Sequence, residues 1–578
     1  MQPDSLPDRR PGEAPPIDPV VVEVLGSAVL SVAEEMGEAL IRAAYSSNIK
    51  ERKDTSACIF DIQGRTLAQA SHIPMHLGSF LGVVESVLER FPRDTMAEGD
   101  MFIGNDPYTA GGTHLPDLTI VAPVFHDGDL VAFLANLGHH ADFIDRGEGR
   151  HIFQEGLRIP PMKIMERGEV RAEVLDIILT NCQAPHDRLG DLRAQFAATR
   201  LGARRFVELC ERYGRDLLFQ AIEELLDYTE RRTRAGISRI PDGTYEFSDL
   251  FDSEKLPGSL EMHVRVQVSG DEMHLDFRNN PAQVPANLNL LWQGLLAAVY
   301  YAVKSLVDPA LPPNAGMYRA IQVTATPGSI VNCVSPAAVS WRTQVAQRVV
   351  DLVHGALAQA LRGGVTAAHN GATTGMEIYG TNPATGGYYF HYESLGGGFG
   401  ARATKDGLDG VQVHVTNTTN LPIEALEMEF PILADRLELV ADSGGPGRFR
   451  GGMGFERSYR VVRGRAATSP SMTRRLSQPW GLFGGHGGAS ARLVVRRGDG
   501  TEEDVTRRSE PLHLEEGDSV AVFTPGAGGY GDPRERDRAQ VVRDLREGRI
   551  SRRAATESYG LSDDEARRAL DGNGTAAE

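Results

Sequence analysis

Four cysteines in 578 residues, Cys58, Cys182, Cys210 and Cys333, are too few and too far apart for a disulfide framework, and no C-x-x-C pair suggests a zinc knuckle. A basic surplus is missing as well. Lys and Arg total 60 against 78 Asp and Glu, giving a formal charge of -18, so no basic stripe stands out to neutralise nucleic-acid phosphates. No apolar run approaches the ~20 residues of a membrane-spanning helix, and the first residues, with Pro and Asp but no apolar core, lack a signal peptide. The expected compartment is the reducing cytoplasm. The nucleotide motif G-x-x-x-x-G-K-[ST] is absent, and the glycine-dense stretch 371–410 lacks the G-x-G-x-x-G order and its strand-to-helix setting. H-E-x-x-H, G-x-S-x-G and a Cys-His nucleophile pair are absent too.

What is present is a turn-rich chain, 41% hydrophobic with 63 glycines, long enough to bury several cores. The pattern predicts a mixed α/β (α+β), multi-lobed fold. Residues 1–16 are Pro-rich and charged and read as disordered. A first α/β region, 17–240, opens with Asp18 as cap and Pro19 in the first helical position, followed by Val21, Leu25, Val29, Val32, Met36 and Leu40 at helical spacing. The stretch His72-Ile-Pro-Met-His76 opens a helix running to about Arg90, and its histidines either reach a site or cap that helix. Helix is expected over 188–238. The central α/β region, 241–430, starts with alternating strands over 244–279 and continues with apolar helices at 290–307 and 344–361. A β-rich, glycine-rich region follows at 431–533, and short charged helices at 534–578.

Candidate chemistry concentrates in residues 99–142. Two apolar segments, 118–125 and 129–137, flank Asp127-Gly128, a strong two-residue hairpin signal. Folding at that turn sets Asp117 near Gly138 and His114 near Ala141, gathering His114, Asp117, His139 and His140 at the open end. Two imidazoles and a carboxylate suit zinc, manganese or iron and leave a coordination position open for water or substrate. Spacing does not choose between His139 and His140, because strand neighbours face opposite sides and a bulge, if Pro123 forces one, would shift the pairing by one. Asp106, in the turn Asn105-Asp-Pro-Tyr108 before Gly111-Gly112, is a candidate acid or base. The loop Gln154-Glu155-Gly156 is charged, and reads as solvated or as the lining of a cleft.

Several of these motifs together resemble the hydantoinase B/oxoprolinase family over about residues 18–560. They are Glu51-Arg-Lys-Asp-Thr-Ser56, His72-Ile-Pro-Met-His76-Leu-Gly78, Asn105-Asp-Pro-Tyr108, Gly111-Gly-Thr-His-Leu-Pro-Asp117, Gly138-His-His-Ala-Asp142, Asp442-Ser-Gly-Gly445, Pro479-Trp-Gly481 and Gly528-Gly-Tyr-Gly-Asp-Pro533. The resemblance implies a hydantoinase B-like architecture and a subunit of an ATP-dependent hydrolase of cyclic amides such as hydantoins and 5-oxoproline. It implies a hetero-oligomer with a hydantoinase A-like subunit that binds ATP, which accounts for the missing nucleotide motif. It also implies a divalent metal, zinc or manganese, on His114, Asp117 and His139; with that site in place, Asp106 and His76 are the expected catalytic proton carriers, and His140 and Asp142 are expected to face substrate. Related acetone and acetophenone carboxylases imply the alternative, the metal-binding subunit of a ketone carboxylase. One departure is the segment 143–151, Phe-Ile-Asp-Arg-Gly-Glu-Gly-Arg-His, where the family often has Ile-Gly-Gly and a Pro-Gly-Ser-Met loop; the difference points to substrate selection.

Overall fold

The computed structural model describes residues 17–70, 72–140, 149–371, 373–469 and 471–571. The expected disorder of residues 1–16, and the Asp142 assignment, lie outside them.

The first lobe is a seven-stranded antiparallel sheet built from β1 (Thr55–Phe60), β2 (Thr66–Gln69), β3 (Met101–Gly104), β4 (Asp117–His126), β5 (Asp129–His139), β6 (Met162–Glu166) and β7 (Glu169–Val170), in the order β2-β1-β5-β4-β3-β6-β7. Its central strands read as continuous apolar runs because helices cover both faces. Ala57, Ile59, Ala132 and Leu134 pack with helix Pro19–Ala43, while Cys58, Phe60, Phe133, Ala135 and Leu137 turn the other way, onto Phe80, Val83 and Val87. The Asp18 carboxylate accepts from the Val20 amide at 2.9 Å and caps the first helix as expected. Two long expected helices are broken instead. Positive φ at Gly82 (79°) separates His76–Phe80 from Val83–Arg90, and Gly214 (83°) separates Pro185–Tyr213 from Arg215–Ile237.

The second lobe carries β8 (Gly243–Phe251), β9 (Leu260–Ser269), β10 (Glu272–Asp276) and β11 (Ile321–Thr324) in the order β11-β10-β9-β8, with β10 and β11 parallel. Only one face is covered. Met262, Val264, Val266 and Val268 alternate inward toward helices Trp292–Val307 and Arg342–Leu357, and the residues between them stay more exposed.

The remaining strands are β12 (Thr374–Thr381), β13 (Tyr388–Leu395), β14 (Ile432–Leu439), β15 (Phe455–Val461), β16 (Ala466–Thr468), β17 (Arg492–Arg496), β18 (Glu502–Asp504), β19 (Leu512–Leu514) and β20 (Ser519–Phe523). They form two sheets, β13-β12-β16-β19 and β14-β15-β20-β17-β18, over one apolar core. Because β12 pairs with β16, from beyond residue 460, the expected boundary at 430 cuts across a sheet. Three short helices, Arg538–Arg546, Arg552–Glu557 and Asp563–Asp571, close the described chain around their own cluster.

Candidate metal centre and pocket

The hairpin that organises the site turns where expected: Asp127 (φ 53°) and Gly128 (φ 85°) both take the left-handed conformation that a tight two-residue connection requires. Its register then departs from simple counting. Phe125 pairs with Leu130, but Val124 pairs with Ala132, so Val131 is an extra residue and every later pair moves by one. Asp117 therefore lies opposite His139, not Gly138. Cross-strand partners share a face, so the bulge puts His139 beside Asp117 and sends His140 to the other side. Without it, His140 would share the Asp117 face.

On that shared face His114 Nε2 lies 2.9 Å from Asp117 Oδ1, and the His114 and His139 rings are 5.0 Å apart. One ligand atom from each of His114, Asp117 and His139 falls within 4.8 Å of the others. All three are buried. Burial, with Arg342 close by, lowers the His114 pKa; burial and the neighbouring His114 hold His139 well below the ordinary imidazole value. Both imidazoles are thus in the neutral, metal-binding form. Burial alone would raise the Asp117 carboxyl, but the hydrogen bond with His114 and the Arg342 guanidinium hold it well below its ordinary value. A buried anion between two neutral imidazoles fits a divalent cation.

Other elements hold these groups. Helix His76–Phe80 supplies Ser79, whose hydroxyl donates to Asp117 Oδ2 at 3.1 Å, and the start of helix Arg342–Leu357 supplies Arg342, 3.3 Å from the same oxygen. Arg342 also donates to Thr113 Oγ1 at 2.7 Å, which steadies the turn carrying His114. Asn48 donates to the His139 carbonyl at 2.8 Å and lies 3.0 Å from its Nδ1, while Arg52 fixes Asn48 through its Oδ1 at 2.8 Å.

A pocket opens on this centre, lined by His114, His139, His76, Asp54, Arg342 and Tyr392 among others. His76 is buried, with Nδ1 2.9 Å from Ser56 Oγ and Nε2 3.6 Å from Asp54 Oδ1. Burial lowers its pKa, and burial raises that of Asp54 against the pull of His76 and Arg52. Tyr392, from β13, lies parallel to the His139 ring at 6.4 Å with Arg52 over its own face. Glu377 and Ser394 join the lining from the same sheet.

The sequence-derived candidates thus divide. His114, Asp117, His139 and His76 come together. His140 does not: its Nε2 lies 3.1 Å from Gln195 Oε1, under helix Pro185–Tyr213, and its amide donates to the Pro116 carbonyl. Asp106 also stands outside the pocket lining, where its carboxylate accepts from the Tyr108 amide, Thr109 Oγ1 and Arg158 at 3.1, 3.0 and 2.7 Å. This is a turn-stabilising arrangement. Glu155, in the loop read as solvated or cleft-lining, is buried and accepts from the amides of Val339 and Ser340. Counting along the chain did not single out Arg342, Tyr392 or Glu377, because hundreds of residues separate them from the hairpin. Asp54 carried a signal, since it lies within the motif 51–56.

Comparison with known proteins agrees with this architecture. The hydantoinase B/oxoprolinase family pattern matches residues 18–533. The beta component of the caprolactamase of Pseudomonas jessenii is 33% identical over 584 residues, covering 97% of this chain and 98% of the relative. The putative B component of a D-/L-hydantoinase from Pseudomonas sp. strain NS671 is 31% identical over 570 residues, covering 94% and 95%. The crystal structure of the ATP-dependent caprolactamase from P. jessenii superposes with a TM-score of 0.86 at 30% identity, covering 96% of this chain and 99% of that one. A nucleotide-free acetone carboxylase shares the fold at the same TM-score and 18% identity, covering 97% and 84%. With the family pattern and two relatives aligned over nearly their full lengths, this chain belongs to the hydantoinase B/oxoprolinase family.

Proposed function

We propose that this chain is the ring-opening subunit of an ATP-dependent cyclic amide hydrolase of the hydantoin or 5-oxoproline type, acting with a hydantoinase A-like subunit that binds ATP. The observation that carries the reading is the buried His114, Asp117 and His139 cluster opening on a pocket that also holds His76 and Asp54. Relatives named for hydantoin and caprolactam chemistry support the substrate class, and their being named as single components of larger enzymes supports a partner. The acetone carboxylase likeness rests on fold alone, so the ketone carboxylase alternative is not favoured.

In this reading His114, Asp117 and His139 hold a divalent metal, zinc or manganese, which polarises a carbonyl and acidifies a water when bound. Arg342 and Ser79 occupy Asp117 Oδ2 and so leave Oδ1 and the two rings for the ion. The partner transfers phosphate from ATP to the amide oxygen. Water then adds to the activated carbon, the carbon–nitrogen bond breaks as the ring nitrogen takes up a proton, and a second water cleaves the acyl phosphate so formed, releasing phosphate and the free carboxylate. His76, kept neutral by burial and tethered by Ser56, accepts the proton of the water and returns it to nitrogen. Asp54 steadies the charge that His76 gains.

The test is ring opening by the purified two-subunit complex, assayed on cyclic amides of five to seven ring atoms. The expected result is opened product in step with ADP, and only when both subunits and ATP are present. Ring opening by this polypeptide alone without nucleotide excludes the scheme, and labelled bicarbonate appearing in product transfers the assignment to the carboxylase.

A further inference from the structure

A second group of metal-ligating side chains lies outside the pocket lining. One atom from each of Asp351, His369 and His414 falls within 4.8 Å of the others, and all three are buried. Asp351 comes from helix Arg342–Leu357, nine residues after Arg342, so at ~1.5 Å per residue it is roughly 14 Å further along the helix axis. That spacing rules out a two-metal centre with the first cluster, where ions stand about 3.5–4 Å apart.

The two clusters are built alike. His414 Nε2 lies 3.1 Å from Asp351 Oδ1, as His114 Nε2 lies 2.9 Å from Asp117 Oδ1. Arg474 stands 3.2 Å from Asp351 Oδ2, as Arg342 stands 3.3 Å from Asp117 Oδ2. The His369 and His414 rings are 4.1 Å apart, with His354 flanking both. His414 Nδ1 is buried and finds no hydrogen-bond partner among the described residues. The surrounding charge is balanced, because Asp249 takes Arg348 at 3.2 Å and shares Arg474 at 2.8 Å. Two imidazoles and one carboxylate therefore face each other, with the two neighbouring guanidinium groups each held by a carboxylate.

We propose that Asp351, His369 and His414 bind a second divalent cation, of the borderline class that takes nitrogen and oxygen ligands, such as zinc, cobalt or manganese. Its role is structural. The ion ties helix Arg342–Leu357 to the segments around 369 and 414, which continue into Thr373, Thr416 and Thr418 on the wall of the first pocket. Gln347, one turn before Asp351, already bridges the same segments through Thr373 Oγ1, the Val413 carbonyl and Thr416 Oγ1.

The experiment is titration of chelator-stripped full-length protein with Co²⁺, followed by ligand-field absorption and elemental analysis. Wild type is expected to take two equivalents per chain, Asp117→Ala one, and His369→Gln and His414→Gln one each. A wild-type count of one equivalent that both histidine variants retain overturns the proposal. A count lowered by His369→Gln but untouched by Asp117→Ala upholds this site and removes the first. If the histidine variants fail to fold, Asp117→Ala decides: one equivalent retained there upholds the second site, and none overturns it.

Discussion

His139 and His140 are chemically identical neighbours with different surroundings. His139 stands beside Asp117 and His114, whereas His140 is engaged by Gln195 beneath a helix. Elemental analysis of purified variants should find the first metal lost in His114→Ala, Asp117→Ala and His139→Ala, since each removes one of three protein ligands. His140→Ala should keep it. Full occupancy in His139→Ala with loss in His140→Ala would reverse the assignment. Glu155 gives a second prediction. Burial pushes its carboxyl up to about 7 from an ordinary 4.5. Between those values the folded state binds more protons than the unfolded one, so stability falls as pH rises from about 4.5 to about 7, by on the order of 3 kcal/mol. Glu155→Gln retains an acceptor for the Val339 and Ser340 amides and cannot titrate. Its denaturation midpoint should match wild type near pH 4.5 and exceed it at pH 8; parallel profiles for the two proteins would refute the buried-acid account.

At the scale of elements, the hairpin does most to assemble the cluster, and one extra residue in it decides which histidine lies opposite Asp117. The short segment Ser47–Lys50 matters nearly as much, because it presents Asn48 to both the carbonyl and the ring of His139. Groups that orient a metal-binding imidazole typically contribute 10- to 100-fold in metal affinity. Asn48→Ala should therefore weaken metal binding by roughly that factor while leaving stoichiometry intact at saturating metal. Calorimetric titration separates the two: unchanged affinity would mean that packing alone orients the ring.

The whole molecule shapes the pocket from distant parts of the chain: the first sheet, the start of helix Arg342–Leu357, and β12 and β13 of the C-terminal core. An ion bound there stabilises only the assembled arrangement. At a free concentration 100 times its dissociation constant this linkage is worth about 2.7 kcal/mol. Chelation should accordingly lower the thermal midpoint of wild type and of His140→Ala, and leave that of Asp117→Ala unmoved apart from any share due to the second site. Differential scanning with and without chelator checks this. Among the described residues no helix is long and apolar enough to cross a membrane.

Local pattern was enough for the capped first helix, the Asp127-Gly128 turn, the apolar helices after residue 290 and the concentration of candidate ligands in 99–142, because each rests on nearest-neighbour conformational preference or on periodicity. The same counting placed Asp117 one residue away from its true partner: Pro123 marked where a bulge can form, but whether it forms is decided between the two facing strands. It also singled out Asp106 as a proton carrier; in the fold its carboxylate is engaged by Arg158 and its own turn, outside the pocket lining. Arg342, Tyr392 and the Asp351, His369 and His414 group became neighbours only through packing between lobes. Their sequence separations are too long for periodicity to register, and burial among opposite charges, which sets their ionisation and hence their chemistry, is a property of the folded chain.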